Sequence, residues 1–115
     1  MMRLFLAGAV VSLSVVSQVS AAPAGPQLLV IHQIVADYAK WRPVYDAHKS
    51  ARDEAGLTNC SVRSTTANPN DVYVACEMAD LAKAKAFTTS KSLADAMKNA
   101  GVVGKPDFRF LAAGK

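Results

Sequence analysis

The apolar residues fall into rhythms that change along the chain. Leu4 to Val16 is apolar at every position except Gly8, Ser12 and Ser14, and Arg3 is the only charged residue ahead of Asp37. A short positive start followed by an apolar run of this length predicts a secretory leader. Val19, Ser20 and Ala21 supply the small residues a signal peptidase accepts, which predicts a signal peptide over 1–21 with cleavage after Ala21. The alternative is an uncleaved anchor. A span needs about 20 predominantly apolar residues, and Ser12, Ser14, Ser17, Gln18 and Ser20 dilute this one. Residues 22–26 then form a short extended leader to a single domain over 27–115.

Within that domain, Leu28 to Val35 is apolar except for His32 and Gln33 and rich in Val and Ile, which predicts a central strand buried on both faces. Asp37 is placed to cap a helix from Tyr38 to Ala55. Trp41, Val44, Tyr45, His48, Ala51 and Arg52 recur along one stripe of it, and Gly56 ends it. Pro43 removes one backbone donor inside this pattern, predicting a kink there or a short first turn. Thr58 to Thr65 is polar enough for an edge strand, and Asn68-Pro69-Asn70-Asp71 carries the strongest turn signal in the chain. Val72 to Met78 alternates as the returning strand. Asp80 caps a helix with Leu81, Ala84 and Phe87 on one face. Ser90 restarts it with Leu93, Ala94 and Met97, and Gly101 closes it. After Val102–Pro106, Asp107 to Leu111 alternates again as a last strand. The order is βαββαβ, an α+β ferredoxin-like antiparallel sheet with helices on one face.

Two helices cover only one face of such a sheet, yet the first strand is apolar on both. The second face is expected to be covered by a second copy, giving a two-fold homodimer, rather than left as a partly wet apolar surface. Composition fits this picture. The 115 residues are 51% hydrophobic and 19% charged, alanine-rich beyond the leader, and too few for more than one small domain. The formal charge of +4 comes without any block of like charge, so neither a nucleic-acid arm nor a polybasic lipid anchor is expected, nor a stable membrane anchor after cleavage.

A hairpin centred on Asn68 pairs residues whose numbers sum to 136, which sets Cys60 opposite Cys76 and Arg63 opposite Tyr73. In an exported chain, periplasmic or extracellular, facing thiols of this spacing form a structural disulfide more readily than a redox pair. Two reduced core cysteines are the alternative, because a one-residue slip sends the sulfurs to opposite faces.

The pattern Asp37-Tyr38-x-x-Trp41-x-x-x-Tyr45, Ala55-Gly56, Asn68-Pro69-Asn70-Asp71-Val72, Asp80-Leu81-x-x-Ala84-x-x-Phe87 and Ala100-Gly101-Val102 resembles the dimeric α+β-barrel superfamily. The likeness is to small proteins related to the antibiotic biosynthesis monooxygenases, over about residues 27–112. It implies a dimer, a cavity beside each sheet, and chemistry ranging from cofactor-free oxidation of phenols to haem degradation. The haem-degrading branch carries a first-strand Asn where this chain has His32 and Gln33.

His32 and His48 are the candidate catalytic residues, expected to converge on a pocket where an imidazole near neutral pKa takes a proton from a phenolic ligand. Trp41 and Tyr45 would stack on that ligand, and Arg109 would hold an anionic group of it. The alternative is two structural histidines, ordinary core aromatics and a solvated arginine. Asp37 and Asp80 are caps. Two histidines without ligand spacing and two mutually paired cysteines do not make a metal site, and no phosphate loop, nucleophile elbow or dinucleotide fingerprint occurs, so neither metal nor cofactor is expected. Together with these residues, the resemblance implies a cofactor-free monooxygenase-like enzyme acting on a small aromatic or phenolic molecule. The alternative is a non-catalytic ligand-binding or protein-interaction module.

Overall fold

The computed structural model describes residues 25–114. The leader expected over 1–21 and most of the segment 22–26 lie outside the described residues. The elements run β1 (Gln27–Val35), α1 (Tyr38–Ala47), α2 (Lys49–Glu54), β2 (Leu57–Thr65), β3 (Asn68–Met78), α3 (Leu81–Thr88), α4 (Lys91–Asn99) and β4 (Val102–Leu111). The strands form one antiparallel sheet in the order β2-β3-β1-β4, with β1 central and β2 at an edge. This is the βαββαβ ferredoxin-like arrangement, each crossover being a pair of short helices on the same face of the sheet.

Alternation along the strands sorts the two faces. Leu29, Ile31, Gln33 and Val35 on β1 and Val72, Val74, Cys76 and Met78 on β3 are buried. Together with Trp41, Leu57, Ala84, Phe87 and Leu93 they form the core between sheet and helices. Phe108 and Phe110, paired with Ile31 and Leu29, extend that face onto β4. The opposite row, with Leu28, Val30, His32 and Ile34 on β1, has no layer above it among the described residues, and Ile34, Tyr73, Val103 and Leu111 on that face are exposed.

The first crossover departs from the sequence reading. Pro43 sits inside α1, which runs through it, and the break falls five residues later at His48. There the His48 amide donates to the Tyr45 carbonyl at 3.1 Å in a tightened turn. The Arg52 guanidinium donates to the same carbonyl at 2.7 Å, so a side chain takes up the second acceptor position of the oxygen at the break. Gly56 ends α2 at φ +75°, where a Cβ would also stand 3.3 Å from that of Ala79. Asp37, Asp80 and Ser90 cap as expected, each side chain accepting a backbone N–H at the start of its helix.

The hairpin is a second correction. The turn is Thr66-Ala67, and Asn68-Pro69-Asn70-Asp71 belongs to the start of β3. Thr65 pairs with Asn68, then Ser64 pairs with Val72, so three residues bulge out of β3. That bulge restores the register sum of 136 deduced for a turn centred on Asn68, and Arg63 does face Tyr73. Its side chains are employed locally: Asn70 Oδ1 accepts the Tyr38 amide at 2.9 Å and its Nδ2 donates to the Ala36 carbonyl at 3.4 Å, tying the bulge to the start of α1. β4 begins earlier than predicted, at Val102, because a second bulge around Gly104 (φ +73°) lets the segment ahead of Asp107 pair with the end of β1.

Cys60 and Cys76 are joined by a disulfide across a separation of 16 residues. Beside them β2 takes up one extra residue between Thr58 and Ser61, and Asn59 adopts φ +50°. Asn tolerates this left-handed conformation better than most residues. No helix among the described residues is long and apolar enough to cross a membrane.

Candidate functional site

A small cavity lies between the buried face of the sheet and the two helical crossovers. The stripe read from the sequence forms one wall: Trp41, Val44 and Tyr45 from α1, His48 from the break, and Arg52 from α2. Ile31, Gln33, Val74 and Cys76 supply the sheet side, and Phe87, Leu93 and Met97 close it from the second crossover. The free volume is about 40 Å³ measured to the centre of a water-sized sphere. That accommodates a few waters, and an aromatic ring enters only if side chains move aside.

Aromatic rings dominate this wall. Trp41 and Tyr45 stack at 4.9 Å between centroids, and Tyr38 packs on the other side of Trp41 at 5.6 Å. The Arg52 guanidinium lies 3.8 Å from the centroid of Tyr45, a close cation–π contact. Burial raises the Tyr45 hydroxyl above its usual range, against an opposing pull from Arg52. The break at His48 serves the site twice: the imidazole there lines the cavity, and the Tyr45 carbonyl accepts from Arg52 as well as from the His48 amide.

His48 shares a hydrogen bond of 2.9 Å between its Nε2 and Ser92 Oγ, and its ring leans on Phe87 at 5.8 Å. Its pKa is lowered, first by burial and then by the nearby positive charge of Arg52. Both causes favour the neutral imidazole, the form able to accept a proton.

His32 does not meet His48. Adjacent positions on a strand face opposite ways, so Gln33 points to the helices and His32 to the open face of the sheet. There the His32 imidazole stacks flat on Tyr73, at 4.3 Å and 11°, and its Nε2 donates to Asp71 Oδ1 at 2.5 Å. Arg109 is on the same open face, exposed and paired with Asp107 at 2.9 Å. The structure therefore brings Trp41, Tyr45 and His48 together and places His32 and Arg109 on the other side of the sheet. Among the described residues no three His, Cys, Asp or Glu side chains cluster as metal ligands would.

Two polar residues that the sequence reading did not propose for the site line the cavity. Gln33 is 5% exposed, and its Oε1 is the buried side-chain acceptor without a hydrogen-bond partner among the described residues. Arg52 is 8% exposed. Both had a signal: Gln33 interrupts the buried row Leu29, Ile31, Val35 at the strand period of two, and Arg52 lies on the helical stripe of Trp41, Tyr45 and His48.

No family model matches the chain, and no curated protein sequence matches it. Solved structures do. A protein of the antibiotic biosynthesis monooxygenase type from Bordetella bronchiseptica superposes with a TM-score of 0.64 over 79% of this chain and all of its own length, at 10% identity. SnoaB of Streptomyces nogalater, a cofactor-independent oxygenase, gives a TM-score of 0.62 over 79% of this chain and 96% of its own, at 8% identity. An antibiotic biosynthesis monooxygenase matches at 0.60 over 77% of this chain and 99% of its own, at 13% identity. At such identities the likeness is one of fold, and it agrees with the resemblance read from the caps, turns and core positions of the sequence.

Proposed function

We propose that this chain is an exported homodimer whose helix–sheet cavity binds a single-ring aromatic or phenolic molecule and oxidises it with molecular oxygen, without metal or flavin. The observation that carries the reading is the cavity itself. It is walled by Trp41, Tyr45 and Phe87, bordered by an imidazole held neutral, and lined by an amide whose acceptor has no partner. Apolar clefts with a few convergent polar groups are the usual form of small-molecule sites.

In this reading His48 accepts the phenolic proton, leaving an electron-rich phenolate against the rings. The phenolate is the reductant of oxygen. One ring C–H becomes C=O, the phenol carbon becomes the second carbonyl, and the other oxygen atom leaves as water with the two hydrogens lost, so that phenol and O₂ give quinone and water. Tyr45 and Trp41 hold the ring plane. His32 and Arg109 act on the other side of the sheet, in the surface where a second copy would pack, rather than at the reacting atoms. Export rests on the Leu4–Val16 run and its small-residue cleavage site, with the disulfide suiting an oxidising compartment.

The likeness to a cofactor-independent oxygenase supports the oxidative reading, and the buried polar groups of Gln33 and Arg52, which can hold a ligand without reacting with it, support the second, binding without turnover. Oxygen uptake with simple phenols and hydroquinones, measured for the full disulfide-bonded chain and for His48→Gln, decides between them. Uptake lost in the variant is the expected result. Saturable binding without uptake would establish a binding module, and no binding would leave an interaction module whose cavity is filled by its own side chains.

A further inference from the structure

The charges around the cavity do not balance. Arg52 is buried, yet among the described residues it has no carboxylate within ion-pairing distance: the nearby acids are engaged elsewhere, Asp46 by Arg42 and Asp53 by Lys49, all on the outer surface. Of the five N–H groups of its guanidinium, the hydrogen bond to the Tyr45 carbonyl uses one. The Tyr45 ring below it offers a π face, which is a weak substitute for a counter-ion. No other charge on the wall compensates: Gln33 is neutral and His48 can only add positive charge. A buried guanidinium left in this state is a fork awaiting a planar anion. Opposite it in kind is Gln33 Oε1, a buried acceptor that lacks a donor. Both groups line the same cavity as the rings of Trp41, Tyr45 and Phe87, and a ring enters it as side chains move aside.

We propose that the ligand of this cavity is a monocyclic aromatic hydroxy acid, whose carboxylate pairs with Arg52 and whose hydroxyl donates to Gln33 Oε1 in the resting complex, turning to His48 only when it gives up its proton. This rests on the reading of the cavity as a small-ligand site and adds to it the charge and the polar pattern of the ligand. Arg52 is thereby a specificity residue for the anion, and Gln33 a positioning residue for the hydroxyl. Both are independent of whether turnover follows.

The test is calorimetric binding to the full disulfide-bonded chain in about 0.15 M salt, where long-range attraction to a basic protein is largely screened. Trp41 is the sole tryptophan of the chain, so its fluorescence gives a second readout at the cavity wall. The probes are 3- and 4-hydroxybenzoate, the corresponding neutral hydroxybenzamides, and benzoate. A charge-assisted pair predicts that the better hydroxybenzoate binds about tenfold or more tighter than its amide. Arg52→Met should erase that preference and Arg52→Lys retain part of it. Gln33→Met should bring hydroxybenzoate down to the affinity of benzoate while leaving the preference for acid over amide. The comparison of acid with amide needs no variant, so it stands even if Arg52→Met does not fold. Equal or tighter binding of the amides overturns the inference and leaves the aromatic cavity standing. An acid preference that survives in a folded Arg52→Met overturns the role of Arg52. Failure of every ring compound to bind overturns both the inference and the reading beneath it.

Discussion

His48 shows how a single side chain can be placed on the right face and in the wrong company. Its place on the stripe of Trp41 and Tyr45 was legible, because helical spacing of three to four alone puts those residues on one face. Its supposed partnership with His32 was not, because the face of a strand residue is set by a parity that one residue reverses. His32 and Gln33 exchange roles on that account: the titratable group faces outward and the amide faces the cavity. Arg52 was legible as a member of the stripe but not as a site residue, since a charged residue on an amphipathic helix ordinarily reaches solvent. What keeps it inside is the carbonyl of Tyr45, at a helix break that no local signal announced. The same environment has a consequence for stability. Burial and Arg52 hold the His48 pKa below 6.5 in the folded chain, so on acidification the unfolded chain takes up this proton first. His48 therefore contributes stability that is complete above about pH 6.5 and is lost as the pH falls towards its folded pKa. Urea midpoints measured between pH 8 and 5 should fall more for the native chain than for His48→Gln. An identical pH profile for the two would show that His48 is not held neutral.

At the scale of elements, the alternating strands, the caps Asp37, Asp80 and Ser90, and the closing glycines were plain, because each is a local demand met by a particular residue type. The hairpin was legible in register and not in shape. Two residues rich in turn propensity, Asn70 and Asp71, are spent in a bulge instead. There Asn70 holds the start of α1 and Asp71 holds His32. A turn signal reports side chains that bond to nearby backbone, and a bulge employs the same side chains. The bulge should therefore matter to α1 more than to the hairpin. Asn70→Ala removes the acceptor for the Tyr38 amide and the donor to the Ala36 carbonyl, and should cost about 1 kcal/mol in denaturant unfolding. Asn70→Asp, which keeps the acceptor, should cost less. Equal losses would mean that the cap of Asp37 alone holds the helix. The disulfide, whose facing positions followed from the register sum of 136, closes a separation of 16 residues. Replacing both cysteines by Ala should lower the unfolding free energy by about 3 kcal/mol by the chain-entropy account. A loss well under 1 kcal/mol would mean that β2 and β3 are already ordered together in the unfolded ensemble.

For the whole molecule, the decisive feature is the face of the sheet that no helix covers. Leu28 and Val30 on the central strand are half-buried, and Ile34, Val103 and Leu111 extend an apolar surface around them, with 40%, 54% and 45% of their areas exposed. A sheet with one helical layer can leave such a face to water only if it is polar. This one is mixed: His32 stacked on Tyr73, Asp71, and the Arg109–Asp107 pair sit among the aliphatics. Apolar positions at the centre with charges distributed around them are what a self-complementary surface presents to its own two-fold image. The expected assembly buries about 1,600 Å² or more in total and leaves both cavities on the outer, helical layers. The reason to expect such an assembly lies in the double-sided apolarity of Leu28 to Val35. The geometry is not legible there, because pairing between copies depends on a surface and not on a local pattern. Val30 is paired with both Ala75 and Arg109, near the middle of the open face. Val30→Lys sets a second positive charge beside Arg109, at a position where a single chain still leaves room for solvent. Sedimentation of the native chain should give twice the chain mass, and the variant should sediment as a monomer with unchanged circular dichroism and an intact disulfide. A monomeric native chain would remove the second copy as the cover. A variant still dimeric would place the contact elsewhere, at the outer edges of β2 or β4. If hydroxybenzoate binding is also retained in the monomeric variant, the cavity is complete within one chain, as its lining by residues of a single copy requires.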